Sequence, residues 1–118
     1  MKKKNSENYL ERKPIRTKNL NWTVGEKGII TLEQENTGFI NHIFQKLLKK
    51  PKISYIHLDE LGSFVWTLTD GTKTILEMGE PVKEKFGENA EPLFERLAKY
   101  FQILESYGFI EWNTNKTE

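Results

Sequence analysis

A chain of 118 residues with 36% hydrophobic and 12% aromatic side chains can close one modest core. A mean hydropathy of -0.66 and 30% charged residues give it a well-solvated surface, and a net charge of +1 creates no global field toward nucleic acid or an anionic membrane. The absence of cysteine excludes disulfides, thiolate metal sites and thiol nucleophiles, and no apolar run approaches the roughly 20 residues that span a bilayer. No apolar stretch follows the basic N-terminus, so no secretory signal is read there, and a soluble cytoplasmic protein is the default expectation.

Residues 1–18 are polar, with Lys2, Lys3, Lys4, Arg12, Lys13, Arg16 and Lys18 outnumbering Glu7 and Glu11. This reads as a basic, flexible N-terminal segment with Ile15 as the only apolar anchor near its end. A basic arm for an acidic partner or RNA is the sharper alternative. From Asn21 the pattern changes. Trp22 and Val24 alternate, as do Ile30 and Leu32, and Gly25-Glu26-Lys27-Gly28 lies between them. That predicts a β-hairpin, ended by Asn36-Thr37-Gly38.

Phe39, Ile40, Ile43, Phe44, Leu47 and Leu48 fall at helical spacing, so Phe39 to Lys50 is expected to be an amphipathic helix stopped by Pro51. Ile53 to Leu58 alternates as a short strand. Asp59 is a natural N-cap for a helix whose inward face is Leu61, Val65 and Leu68. Thr69-Asp70-Gly71-Thr72 is a turn. Thr74 and Glu77 form a capping box for a second helix. In that helix Gly79 and Pro81 predict a kink or a break, because a proline inside a helix costs about 3 kcal/mol. The third helix is expected from about Ala90 to Tyr107, seamed by Leu93, Leu97, Phe101 and Leu104 and closed by Gly108. Phe109, Ile110 and Trp112 would then add a terminal strand or fold back on the core, and residues 113–118 fray.

The predicted class is α+β. A small antiparallel sheet of about three strands adjoins a three-helix, winged-helix-like cluster, with one extra amphipathic helix before the third strand.

No catalytic constellation emerges. His42 and His57 are the only histidines, without H-x-H or H-x-x-x-H spacing, so neither a metal site nor a cofactor is expected. Ser54, Ser63 and Ser106 lack a nucleophile-elbow setting. Asp59 and Glu60 stand at a helix N-terminus, where the helix dipole alone favours acids. The chain is read as a non-enzyme.

Leu58-Asp59-Glu60-Leu61-Gly62-Ser63-Phe64-Val65-Trp66, followed by Asp70-Gly71, Thr74-Ile75, Met78, Phe86-Gly87 and Tyr107-Gly108-Phe109-Ile110, resembles the PqqD family. That family is named for pyrroloquinoline quinone (PQQ) biosynthesis and is also described as RiPP precursor-peptide recognition elements. The resemblance covers about half the chain, from Ile53 to Trp112, and implies one domain over residues 19–112. It implies a non-catalytic adaptor that binds a precursor or leader peptide by strand addition. The adaptor then presents that peptide to a modifying enzyme, such as a radical-SAM enzyme. By the same resemblance the peptide-binding edge is Ile53, Ser54, Tyr55, Ile56 and His57 of the third strand, continuing to Leu58. The groove wall is Arg96, Lys99, Tyr100 and Ile103 on the last helix; core packing is the alternative role for Tyr100 and Ile103.

Two other functions compete. A winged-helix nucleic-acid binder would need a cationic reading helix, and Glu91, Glu95 and Glu105 balance Arg96 and Lys99. A homodimeric interaction module would use an exposed aromatic patch, for which three Trp and seven Phe supply material.

Overall fold

A computed structural model of the chain describes residues 9–36 and 52–114. The expected helix from Phe39 to Lys50 lies outside the described residues, as do residues 1–8 and 115–118.

The fold is α+β. Strands β1 (Pro14–Arg16), β2 (Trp22–Val24), β3 (Ile30–Asn36) and β4 (Lys52–His57) precede helices α1 (Glu60–Leu68), α2 (Ile75–Phe86) and α3 (Leu93–Ser106), and β5 (Ile110–Trp112) closes the chain. The sheet in the order β2-β3-β4 is antiparallel throughout, and β1 pairs with β5 in a separate two-stranded sheet. The β2–β3 hairpin turns through a 3-10 segment, Glu26–Gly28, with Lys27 at φ 61° and Gly28 at φ 74°.

The apolar periodicities meet where they should. Ile30 and Leu32 send the inner face of β3 against Val65 and Trp66 of α1, Ile75, Met78 and Val82 of α2, and Leu97, Phe101 and Leu104 of α3. Trp66 is fully buried, and Trp22 meets it edge to face at 5.8 Å. Helix α1 starts where Asp59 Oδ1 accepts the Gly62 N–H at 2.7 Å. Helix α2 starts on the full capping box: Glu77 N–H to Thr74 Oγ1 at 3.0 Å and Thr74 N–H to Glu77 Oε1 at 2.8 Å.

Three expectations differ from what is seen. Helix α2 runs unbroken through Pro81. Met78 and Val82, one turn apart on its buried face, fix both sides of the proline to the core. The missing hydrogen bond is tolerated because burial of that face sets the helical path. Helix α3 begins at Leu93 rather than near Ala90, since residues Gly87–Ala90 form a 3-10 turn first.

The third difference concerns the N-terminal segment. From Tyr9 to Thr17 it is docked, not loose. Pro14 is buried, and β1 lies between β5 and the α1–α2 loop. The Arg16 N–H donates to the Thr69 carbonyl at 3.2 Å, and the Pro14 and Arg12 carbonyls accept from Gly71 and Ile75 at 2.9 and 3.1 Å. The Arg12 guanidinium lies 5.3 Å from the Tyr9 ring and 5.2 Å from the Trp112 ring. Asn113, at the expected start of the frayed end, donates its N–H to the Lys13 carbonyl at 2.7 Å.

Candidate functional site

Strand β4 has one partner among the described strands, β3. Which of its backbone groups face away from β3 follows from the register. Residue pairs 31 and 57 through 36 and 52 are opposed, and the Leu58 N–H reaches the Ile30 carbonyl at 2.9 Å. On the other side of β3, the Glu33 N–H donates to the Asn21 carbonyl at 3.0 Å. In an antiparallel ladder both polar groups of a residue point the same way, and the direction alternates. Residues 52, 54, 56 and 58 therefore face β3. The N–H and C=O groups of Ile53, Tyr55 and His57 face the outer edge.

Side chains alternate with the same parity. Ser54, Ile56 and Leu58 are half-buried on the core side, whereas Ile53 is 40% and Tyr55 59% exposed. The exposed His57 shares a 2.8 Å hydrogen bond with Thr31 Oγ1 through Nδ1 across the β3–β4 pair.

The end of this ladder is clipped to α1. Ser63 Oγ accepts the Ile30 N–H at 2.9 Å and reaches the Leu58 carbonyl at 3.4 Å. One buried hydroxyl thus replaces the second bond of the Ile30–Leu58 pair and fixes where α1 leaves the sheet.

Helix α3 comes near β4 at the two ends of the strand. Tyr100 touches the α1 corner: its hydroxyl donates to the Gly62 carbonyl at 2.7 Å, and its Cε1 would lie 3.1 Å from a Cβ on Gly62. The Leu58 Cβ is 3.6 Å from that same point, so Tyr100 and the end of β4 converge on Gly62. At the far end, Ile53 and Tyr107 line one cavity of about 260 Å³, with Asn19, Gln34 and Phe109 in its wall. The N-terminal end of β4 therefore approaches the C-terminal end of α3, and the C-terminal end of β4 meets the middle of α3. The pocket that Ile53 and Tyr107 share is the cleft between the two elements. Tyr107 in its wall is 51% exposed, and Ile103, one turn earlier on α3, is 48% exposed.

The groove-wall residues read from the sequence occupy different places. Ile103 is exposed, and Lys99 is exposed beside it. Arg96 is half-buried and donates from a guanidinium nitrogen to the Asn89 carbonyl at 2.7 Å, which ties α3 to the turn before it. Tyr100 forms the seam between α3 and α1. Burial pushes its hydroxyl pKa up, reinforced by the Asp59 carboxylate, so Tyr100 is a neutral donor at any physiological pH. Tyr107, part of the closing motif in the sequence but not of the expected groove wall, continues the spacing Arg96, Tyr100, Ile103 by one turn. It stacks on Phe109 with ring centroids 5.5 Å apart. No group of three or more His, Asp or Glu side chains able to hold a metal occurs among the described residues.

The family model for coenzyme PQQ synthesis protein D (PqqD) matches residues 46–110, from before β4 to the start of β5. The chain belongs to the PqqD family. No curated protein and no solved structure matches the chain. The matched span holds β4, all three helices and every residue of the cleft that the β4–α3 pair contributes. The PqqD positions read from the sequence have visible structural duties: Asp59 caps α1, Gly62 admits Tyr100, Trp66 fills the core, and Gly108 ends α3 at φ 78°. No described helix is long and apolar enough to cross a membrane.

Proposed function

We propose that this PqqD-family chain is a peptide-binding adaptor, which takes up an extended precursor or leader peptide along β4 and presents it to a modifying enzyme. One observation carries the reading: the outward N–H and C=O groups of Ile53, Tyr55 and His57 have no strand beside them among the described residues, and Ile53 shares a pocket with the exposed Tyr107. Strand addition would supply the backbone hydrogen bonds, and the cleft with Ile103 and Tyr107 would select side chains. Balanced charge on α3 and the use of Arg96 inside the fold both argue against phosphate recognition.

The test uses synthetic peptides from short reading frames beside the gene, titrated into isotope-labelled protein. Binding should shift the amides of Ile53, Tyr55 and His57. Tyr55→Pro removes one outward donor without touching the β3 ladder. It should weaken binding about fivefold to tenfold, the worth of one edge hydrogen bond, while urea unfolding stays cooperative. Equal affinity in Tyr55→Pro, or shifts confined to other surfaces, would overturn strand addition at β4.

A further inference from the structure

Helix α1 has a second face that the cleft does not use. Glu60, Phe64 and Thr67 lie roughly 140–200° around the helix from Gly62, which meets Tyr100. They border a trough of about 490 Å³, closed by Lys27 at the hairpin tip and by Lys85 and Phe86 at the end of α2. Phe64 and Phe86 are half-buried and meet edge to face at 5.9 Å. The Lys85 ammonium sits over both rings, 5.4 Å from the centroid of Phe64 and 5.8 Å from that of Phe86.

This arrangement is built for a ligand with two kinds of surface. The aromatic pair packs on the core with one part of its surface and leaves the rest at the trough wall. Lys85 can keep its ring contact and still point ammonium hydrogens at an incoming carboxylate. Lys27 adds a second cation from a backbone position with positive φ, where a side chain is unusual. Glu60 is the one acidic side chain of the wall, so the lining is cationic by two to one. A half-buried aromatic pair beside two cations suits an incoming segment that is both apolar and acidic.

We propose that this trough docks a partner protein through a segment in which a carboxylate side chain adjoins an aromatic or aliphatic one. The proposal rests on the adaptor reading in one respect: an adaptor that holds its peptide along β4 needs a separate face for the modifying enzyme, and α1 stands between the two.

The probe is a blocked hexapeptide alternating aspartate and phenylalanine, titrated into the isotope-labelled full chain. Controls replace aspartate by lysine, replace phenylalanine by serine, or use phenylacetate alone. The acidic aromatic peptide should shift the amides of Lys27, Phe64 and Lys85 saturably, and more tightly than every control. Lys85→Glu should weaken it about twofold to fivefold, as expected for losing one exposed charge pair, and Lys85→Arg should restore it. Equal binding of the lysine peptide, equal binding of phenylacetate, insensitivity to Lys85→Glu, or shifts only at Ile53, Tyr55 and His57 would each overturn the proposal. Failure of the adaptor reading shows separately, as precursor-derived peptides that leave Ile53, Tyr55 and His57 unmoved whatever happens at Phe64 and Lys85.

Discussion

Gly62→Ala tests whether the α1–α3 contact sets the position of the cleft. Elsewhere on a helix this change should stabilise, since alanine is favoured over glycine by about 1 kcal/mol. Here the new Cβ would stand 2.9 Å from Asp59 Oδ1 and 3.1 Å from Tyr100 Cε1. The first contact disturbs the N-cap, which is worth about 1 kcal/mol. The second overpacks a half-buried ring whose hydroxyl is anchored on the same residue, at about 1–3 kcal/mol. The costs exceed the propensity gain, and a net loss of about 1–3 kcal/mol is expected. In a domain of this size that lowers Tm by about 4–12 °C. Urea unfolding followed by tryptophan fluorescence reads it directly, because Trp66 is buried on the same helix. The midpoint should fall with the slope unchanged. In a Tyr100→Ala background the ring is absent, so the Gly62→Ala penalty should shrink, and the difference is the coupling energy of the pair. A Gly62→Ala protein as stable as the parent, or an unchanged penalty without the Tyr100 ring, would refute the close-approach account.

Two further perturbations probe the supports of the cleft. Ser63→Ala strands the Ile30 N–H at the end of the β3–β4 ladder and should cost about 1–3 kcal/mol by urea unfolding. The Tyr9 hydroxyl is held at a pKa of about 12, raised by burial first and by the Glu105 carboxylate second. The unfolded chain therefore loses this proton at lower pH than the folded one. The associated stability is whole below pH 10 and is lost as pH rises from 10 through 12. Tyr9→Phe should flatten the alkaline fall of the urea midpoint without lowering stability at neutral pH, because the buried hydroxyl has no hydrogen-bond partner among the described residues.

Much of the fold was legible because its signals are local. Asp59 as a cap, Thr74 and Glu77 as a capping box, and the alternation of Trp22/Val24 against Ile30/Leu32 all act within a few residues, and each appears in place. The β1–β5 sheet was not legible. Its strands are three residues each, and their opposed residues, such as Pro14 and Trp112, are separated by nearly the whole chain. Its N-terminal half also packs through a charged residue. Arg12 between Tyr9 and Trp112 counts as surface in any tally of polarity, yet its guanidinium serves as a flat packing element. The unbroken path through Pro81 was hidden for a related reason, since the proline penalty is local and the burial of Met78 and Val82 that overrides it is tertiary.

The candidate site divides along the same line. The parity of β4 is a period of two, so Ile53, Tyr55 and His57 separate from Ser54, Ile56 and Leu58 in the sequence itself. The division of labour on α3 is not periodic. Arg96, Tyr100, Ile103 and Tyr107 follow one helical stripe, but the stripe crosses two surroundings. Near its start it is held by the Asn89 carbonyl and by Gly62 of α1, and near its end it has no helix against it among the described residues. A helix that leans on α1 through Tyr100 and carries exposed Ile103 and Tyr107 toward its end creates both the seam and the wall of the cleft. Gly62 marks the seam, because Tyr100 of α3 and Leu58 at the end of β4 both approach it. The outward polar groups of Ile53, Tyr55 and His57 begin beyond that point, so the contact that stabilises the scaffold also sets how far an added strand could extend.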